Sequence, residues 1–330
     1  MKGLLLLVVL MGSANILLAQ EEKPAPELQV KTDVHFFKLP EGVYFGECVG
    51  VNLDSKGNIY VINRGIHPIM EFHPDGTFMR YIGAGLSILD PNADGNAAAH
   101  SVVLDKDDNI WYVDAGTNTI TELDQQLRFM MILGKKPEPW TWLTHGVTQM
   151  KPIKGPAYFN QPTGIAFAAD GSMFVTDGYG NSRVAKFKPD GNFDKEWGGE
   201  KGSAPGQFST PHGVIIDSKG LVYIADRGNK RIQIFDQQGN FQKAWTNIGA
   251  PWAMCLTRGP NPVMWTVDGQ TGRFYKLNLE DQILGVFGKF GKAVGETEWV
   301  HGLACPNENL LYAAEELNYR MDRITVQPSH

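Results

Sequence analysis

Three histidines stand at the same place in three similar segments of the chain. His100, His212 and His301 each begin a short apolar run, in HSVVLD, HGVIID and HGLAC. Three imidazoles that leave a fourth position open are the ligand set of a catalytic zinc ion. The alternative, three unrelated histidines each bonded to backbone, is disfavoured because the chain has only 8 His. The spacing therefore predicts a zinc site.

A second group of polar residues follows the next apolar run in other segments. Arg64 lies in INRG, Tyr179 in TDGYGNSR and Arg227 in ADRGN. An arginine can hold a carboxylate through two hydrogen bonds, and a tyrosine near a divalent cation ionises below its usual pKa of about 10 and can act as a base. The competing interpretation is solvated turn residues or ties between repeats. It is favoured for Arg227 taken by itself, and the two are balanced for Arg227 beside the three histidines. We retain all three as catalytic candidates beside the histidines.

A repeat that occurs six times positions these residues. Each unit has two apolar strands joined by a tight turn and then two alternating strands, as in HGVIIDSKGLVYIADRGNKRIQIFDQQGNFQKAW from residue 212. Units of about 40–60 residues predict an all-β, six-bladed β-propeller. Alternate blades are related by about 120°, so the three imidazoles should converge on the channel axis. The inner strands are expected to begin near Val49, His100, Thr163, His212, Trp252 and His301.

The last repeat ends after a third strand, near Arg320–Val326. We expect Val34–Leu39 to supply its fourth strand and close the ring. The two long connections, Ala84–Ala99 and Lys135–Gln161, should emerge on the face that carries the histidines. Loops on a rigid scaffold commonly carry function, so the site is expected at this mouth of the channel.

The first residues indicate export. Residues 1–19 have a Lys followed by an apolar run and are interpreted as a cleaved signal peptide, residues 20–32 as a flexible polar tether and residues 33–330 as the propeller. A membrane anchor is the competing interpretation, disfavoured because Gly12, Ser13 and Asn15 interrupt the run. The predicted location is therefore secreted or periplasmic.

Composition narrows the partners and the redox chemistry. The net charge of −6, without a basic run, argues against nucleic-acid binding, which leaves a small-molecule or peptide substrate. Three cysteines, Cys48, Cys255 and Cys305, are too few for a disulfide framework. We expect buried thiols, with a Cys255–Cys305 bridge as the less favoured alternative.

The motifs TDGYGNSRVAKF, GQFSTPHGV and ADRGNKRIQIF resemble NHL-type propeller repeats, and specifically those of peptidyl-α-hydroxyglycine α-amidating lyases. The resemblance implies zinc on His100, His212 and His301, a catalytic base at Tyr179, and active-site arginines at Arg64 and Arg227. It also implies the reaction: cleavage of the C–N bond of an N-acyl-α-hydroxyglycine to an amide and glyoxylate.

Three residues depart from that family. Gly302 stands where the family has an Asp, which removes a ligand of the structural calcium that the resemblance places near the backbone carbonyls of Val51 and Val102. Gly180 replaces a disulfide cysteine, and Trp299 replaces a Met near the substrate, which would reshape the pocket. Two other functions stay open: a non-catalytic NHL propeller that binds a protein or glycan, and a metal-dependent hydrolase.

Overall fold

The described strands form six antiparallel sheets of four strands each, arranged in a ring. The computed structural model describes residues 24–65, 67–83, 99–135, 155 and 157–328. The signal-peptide prediction and most of both long connections lie outside these residues. Within them the six-bladed β-propeller is confirmed.

The blades follow the order of the repeats, and each runs from the channel outward. Blade 1 contains β2 (Cys48–Leu53), β3 (Ile59–Asn63), β4 (Ile69–Phe72) and β5 (Phe78–Ile82); blade 2 contains β6 (Ala99–Leu104), β7 (Ile110–Asp114), β8 (Thr119–Leu123) and β9 (Phe129–Gly134); blade 3 contains β10 (Gly164–Phe167), β11 (Met173–Asp177), β12 (Arg183–Phe187) and β13 (Phe193–Gly198). Blade 4 contains β14 (Pro211–Ile216), β15 (Val222–Asp226), β16 (Arg231–Phe235) and β17 (Phe241–Trp245); blade 5 contains β18 (Pro251–Leu256), β19 (Met264–Asp268), β20 (Arg273–Leu277) and β21 (Ile283–Phe287); blade 6 contains β22 (Val300–Asn307), β23 (Leu310–Glu315), β24 (Arg320–Val326) and the N-terminal strand β1 (Val30–Asp33).

The ring closes through β1, so the prediction that Val34–Leu39 forms this strand was wrong. β1 pairs with β24 with Val30 opposite Val326. The chain then turns, with the Asp33 carboxylate accepting a hydrogen bond from the His35 N–H at 3.0 Å. The apolar residues that suggested a strand instead fill the seam between blades 6 and 1, where Phe37 packs against Phe72 with ring centres 5.0 Å apart.

The residues just before β1 also lie on the propeller. Glu27 pairs with Val286 of β21, and the Leu28 N–H donates to the Val286 carbonyl at 2.8 Å. Arg273 forms an ion pair with Glu27. Residues 27–32, which the sequence assigned to a flexible tether, are therefore docked across blades 5 and 6.

A disulfide joins Cys255 of β18 to Cys305 of β22, with the two Cα atoms 5.8 Å apart. The expectation of buried thiols was wrong for this pair, because the inner strands of neighbouring blades bring the two side chains face to face. Cys48 is a free and fully buried thiol, and burial raises its pKa. The bridge ties blade 5 to blade 6 close to the channel.

In blades 3, 4 and 6 the acidic residue that ends the second strand fixes the connection that enters the blade. In blade 4 the Asp226 carboxylate accepts hydrogen bonds from the Ser209 N–H at 2.7 Å and from Arg231 Nε at 2.8 Å. The same contacts recur in blades 3 and 6, through Asp177 with Asn160 and Arg183, and through Glu315 with Glu298 and Arg320. Buried polar groups of this kind need such partners, and here they hold the chain segments that lead into the channel.

Helical structure is almost absent from the described residues. One 3-10 turn spans Arg227–Asn229. None of the described segments forms an apolar helix of the length needed to cross a bilayer.

Candidate metal centre

A β-bulge directs each of the three histidines into the channel. In blade 2, Ala99 lies opposite Asp114 but Ser101 lies opposite Val113, so His100 is an extra residue in its strand. The same shift in register occurs at His212 and at His301. A bulged residue is released from the regular alternation of the strand and its side chain is re-aimed. The sequence located the histidines, but the bulges that turn them inward were not apparent from it.

The three imidazoles meet on the axis. The ring centres of His100, His212 and His301 are 4.6–4.8 Å apart. One nitrogen of each lies within 4.8 Å of the others, and all three side chains are buried. This is a group of three nitrogen donors that could hold one metal ion.

Backbone carbonyls of the intervening blades orient the rings. His212 Nδ1 lies 2.6 Å from the Trp252 carbonyl and His301 Nδ1 lies 2.8 Å from the Val49 carbonyl. His100 Nδ1 has no partner with hydrogen-bond geometry. The Thr163 backbone nevertheless acts to raise the pKa of His100, as the backbones of Trp252 and Val49 do for the other two histidines. Because a carbonyl only accepts, the proton of His212 and of His301 sits on Nδ1, and the Nε2 lone pair is left to bind a metal.

The protonation state and one orphaned atom fit a metal ligand set. Burial is the main cause that holds the pKa values of His100 and His212 well below their usual range. Burial, followed by the charge of Arg64, lowers the pKa of His301 to about 3. His301 Nε2 is buried without a hydrogen-bond partner. A neutral, buried imidazole with an unpaired Nε2 is what a divalent metal requires.

Tyr179 covers the histidines from the mouth of the channel. Its hydroxyl lies 3.1 Å from His100 Nε2 and 3.1 Å from His212 Nε2. Burial raises the pKa of Tyr179, and the charges of Arg227 and Arg64 act against that rise. A metal at the histidines would add a further positive charge in the same lowering sense.

Glycines on both sides of Tyr179 allow this close approach. A Cβ at Gly178 would lie 1.9 Å from the Pro211 carbonyl oxygen, and a Cβ at Gly180 would lie 1.9 Å from the Asn160 amide nitrogen. A cysteine at position 180, which the resemblance would place there, would therefore require the Asn160 side chain to move. The GYG segment is fitted to its neighbours and fixes the tyrosine over the site.

Arg64 reaches the same mouth but is already paired. Its Nη1 forms ion pairs with Glu47 at 3.0 Å and with Glu316, and its Nε donates to the Ala99 carbonyl at 3.1 Å. Burial raises the pKa of Glu316, and Arg64 opposes that rise. Arg64 thus ties blades 1, 2 and 6 together. Sequence reasoning missed both acidic partners, of which Glu47 is 17 and Glu316 252 residues away from Arg64 along the chain.

Arg227 has different surroundings. Among the described residues it forms no ion pair, and its guanidinium lies over two aromatic rings, 4.4 Å from the centre of Trp252 and 5.4 Å from the centre of Tyr179. A guanidinium stacked on aromatic faces keeps its edge free for bidentate hydrogen bonds. Arg227 is therefore available to a carboxylate ligand.

Two tryptophans lie on the described part of the rim. Trp252 occupies in blade 5 the bulged position that histidine occupies in blades 2, 4 and 6. Its ring centre is 5.9 Å from that of His212 and 5.0 Å from that of Trp299. The sequence placed Trp299 in the pocket wall but gave Trp252 no role. The signal was its position in the repeat, equivalent to that of the histidines.

Near Val51 and Val102, where a calcium site was expected, the described residues form no cluster of carboxylates that could hold a metal ion. Both valines lie in inner strands, β2 and β6, and both are buried. A Cβ at Gly302 would lie 2.4 Å from the Gly50 Cα, so an Asp could not replace it without movement of the backbone. Among described side chains, only the three-histidine group clusters in the manner of a metal site. Calcium binding by backbone carbonyls stays a prediction.

A cavity lies on the other side of the histidines. A space of about 1180 Å³ extends from His100, His212 and His301 along the inner strands to the turns at the opposite face. Tyr179, Arg64, Arg227 and Trp299 do not line it. We place the chemistry at the mouth because the basic and acid–base side chains converge there, whereas the cavity is walled mainly by strand residues.

Comparison with known proteins places these features in a family. Residues 159–187 and 208–235 match the NHL repeat. Peptidylglycine alpha-amidating monooxygenase of Rattus norvegicus is 31% identical over 236 residues, which cover 63% of this chain and 22% of the rat protein. The match thus spans about a fifth of that relative's length.

Two further relatives and one solved structure complete the comparison. NHL repeat-containing protein 3 of Homo sapiens is 32% identical over 261 residues, 76% of this chain and 67% of the human protein. A probable peptidyl-alpha-hydroxyglycine alpha-amidating lyase of Caenorhabditis elegans is 32% identical over 131 residues, 39% of this chain and 34% of the worm protein. A streptogramin B lyase structure shares the fold, with a TM-score of 0.59 and 14% identity over 90% of this chain and 98% of that one. The chain therefore belongs to the family of NHL-repeat β-propellers that includes these amidating-lyase-like proteins.

Proposed function

We propose that this protein is a zinc-dependent carbon–nitrogen lyase that converts an N-acyl-α-hydroxyglycine into an amide and glyoxylate. The observation that carries the proposal is the Tyr179 hydroxyl, held 3.1 Å from the Nε2 atoms of His100 and His212 at the centre of three convergent imidazoles. The relationship to an amidating lyase supports the choice of reaction.

The chain's own residues supply most of the reaction. His100, His212 and His301 would hold the zinc, which when bound lowers the pKa of a coordinated hydroxyl. Tyr179, as the phenolate, takes the proton of the substrate's α-hydroxyl. The C–N bond then breaks as the C–O bond becomes a carbonyl, and Tyr179 returns the proton to the departing amide nitrogen. Atoms and charge balance, since one proton moves from oxygen to nitrogen.

The two arginines take separate roles. Arg227, without an ion-pair partner among the described residues, holds the substrate carboxylate. Arg64 is engaged by Glu47 and Glu316, so we assign it to the support of the mouth and to the positive field that opposes the rise in the pKa of Tyr179 caused by burial. Arg64 was predicted from the sequence as a catalytic residue, and its paired state is the reason for this revision.

We also propose an exported location. A buried disulfide between Cys255 and Cys305 suits an oxidising compartment, in which such bonds form and persist. This agrees with the signal peptide expected from the sequence.

The test combines metal analysis with glyoxylate release from a simple N-acyl-α-hydroxyglycine. The purified protein should contain one zinc per chain and release glyoxylate, and His212→Ala should lose both. Tyr179→Phe should keep the metal and lose at least about 100-fold in turnover, since general acid–base catalysis contributes about 10²–10⁴-fold. Zinc-loaded protein that releases no glyoxylate would refute the lyase function, and a wild type without stoichiometric metal would refute the enzyme hypothesis altogether.

A further inference from the structure

The proposed chemistry leaves two large side chains at the mouth unused, Trp252 and Trp299. Their ring centres are 5.0 Å apart with an angle of 43° between the planes. Trp252 is also within ring-contact distance of His212 and of His301, at 5.9 and 6.2 Å. An aromatic surface therefore begins directly beside the candidate metal position.

Trp252 is clamped, whereas Trp299 is open. A Cβ at Gly269 would lie 2.4 Å from the Trp252 ring, so the backbone there presses directly against the indole. The Arg227 guanidinium lies on Trp252 at 4.4 Å. Trp299 remains 37% exposed. The surface that a ligand can contact is therefore the Trp299 indole, supported from behind by Trp252.

The backbone of the repeat fixes where Trp299 stands. Its φ is 49°, in the left-handed region, and Gln161 and Thr210 have φ values of 61° and 58°. Each of these residues lies two positions before the residue that was expected to begin the inner strand of its blade, which is His301, Thr163 or His212. The Trp299 carbonyl accepts a hydrogen bond from the Glu316 N–H at 3.1 Å. A bulky residue in this conformation is uncommon and strained, and its exposed indole is not explained by packing.

We propose that Trp299, supported by Trp252, is the subsite for the acyl group and selects substrates in which an aromatic group is attached to the hydroxyglycine nitrogen through its acyl carbonyl. The inference rests on the proposed function. Arg227 and Trp299 both contact Trp252, so they flank one indole. In an N-acyl-α-hydroxyglycine the carboxylate and the acyl group leave the reacting carbon in different directions. The substrate carboxylate can bind Arg227 while an aromatic ring in the acyl group contacts Trp299.

The test measures binding of two ligands that cannot react. N-benzoylglycine and N-acetylglycine lack the α-hydroxyl and differ in the acyl group. In calorimetric titrations of the full, metal-loaded chain we expect N-benzoylglycine to bind about threefold to tenfold more tightly, the range of an added aromatic contact. Trp299→Met should bring the ratio close to one, and Trp299→Tyr should keep most of it. Arg227→Gln should weaken both ligands and leave the ratio unchanged.

Phe241→Met is the matched control, since Phe241 is an aromatic residue of similar exposure, 38%, on the outer strand β17. It should leave both affinities unchanged. Equal binding of the two ligands by the wild type, or an unchanged ratio in a folded Trp299→Met variant, would overturn the subsite. The lyase proposal is judged separately, by the release of glyoxylate. If N-benzoylglycine binds more tightly but no glyoxylate is released, the subsite stands and the reaction is rejected. If glyoxylate is released but the two ligands bind equally, the reaction stands and the subsite is rejected.

Discussion

The two arginines at the channel mouth have opposite surroundings, and replacing each by glutamine should separate stability from ligand binding. The Arg64 side chain is 12% exposed and is paired with Glu47 and Glu316, whose side chains are 30% and 11% exposed. Arg227 has ring contacts but no ion pair within the described part of the chain. Of the two substitutions, only Arg64→Gln leaves a buried carboxylate, that of Glu316, and a partly buried one, that of Glu47, without this cation.

The magnitudes follow from these contacts. Removing one partner of a buried ion pair costs about 3–5 kcal/mol, and the partial exposure of Glu47 places Arg64→Gln near the lower end. Arg227→Gln breaks no ion pair within the described residues, and the cation–π contacts it removes are worth about 0.5–1 kcal/mol at such a partly exposed site. Its larger effect should be on the substrate carboxylate: a lost charged hydrogen bond of about 1.5–3 kcal/mol lowers kcat/KM by about tenfold to hundredfold.

Urea unfolding at pH 7 and glyoxylate kinetics, measured on the same preparations, test this division. The double variant Arg64→Gln/Glu316→Gln is the internal control. It also removes the Glu316 carboxylate that Arg64→Gln leaves unpaired with this arginine, so it should recover part of the lost stability. If Arg227→Gln is as destabilising as Arg64→Gln, or if Arg64→Gln costs less than about 1 kcal/mol, the assignment of the two arginines is wrong.

Two further predictions concern stability. Burial, followed by the charge of Asp322, raises the pKa of Glu315 to about 8, so near neutral pH the folded state binds a proton that the unfolded state releases. The stability that this proton supplies is lost as the pH rises towards 8, by about 1 kcal/mol between pH 7 and 8 in metal-free protein. Glu315→Gln should abolish this dependence of the unfolding free energy on pH, measured by urea titration. The Cys255–Cys305 bridge spans 50 residues and should contribute about 2–4 kcal/mol to the free energy of unfolding. The variant Cys255→Ala/Cys305→Ala should lose this stability, while Cys48→Ala, which removes only a buried thiol, should lose less. A wild type whose stability does not change on reduction would contradict the estimate.

The sequence was most informative where the repeat sets the period. Six copies of one strand pattern predicted the six blades, and histidine at one position in alternate copies predicted the convergence of His100, His212 and His301. Both follow from rotational geometry, which needs only the order of the repeats. The third strand of the last blade also lies at Arg320–Val326 as expected.

Contacts between distant repeats were less accessible. The disulfide depends on whether two inner strands turn their side chains towards each other, and Cys255 and Cys305 are in different blades. The closing strand was misplaced because apolar residues such as Phe37 can pair in a sheet or fill a seam, and their pattern does not distinguish the two. The paired state of Arg64 depends on Glu316, which only closure of the ring brings near.

The alternation of the blades explains why Trp252 can differ from the histidines without disturbing them. Blades 2, 4 and 6 contribute imidazoles, and two of the blades between them, blades 1 and 5, contribute backbone carbonyls at the equivalent position, those of Val49 and Trp252 at 2.8 and 2.6 Å. A backbone carbonyl makes the same hydrogen bond whatever side chain its residue carries. The side chain at this position in the intervening blades is therefore not constrained by the orientation of the rings. In blade 5 it is an indole that reaches the rim, which lets one position orient His212 through its carbonyl and form the wall of the pocket through its side chain.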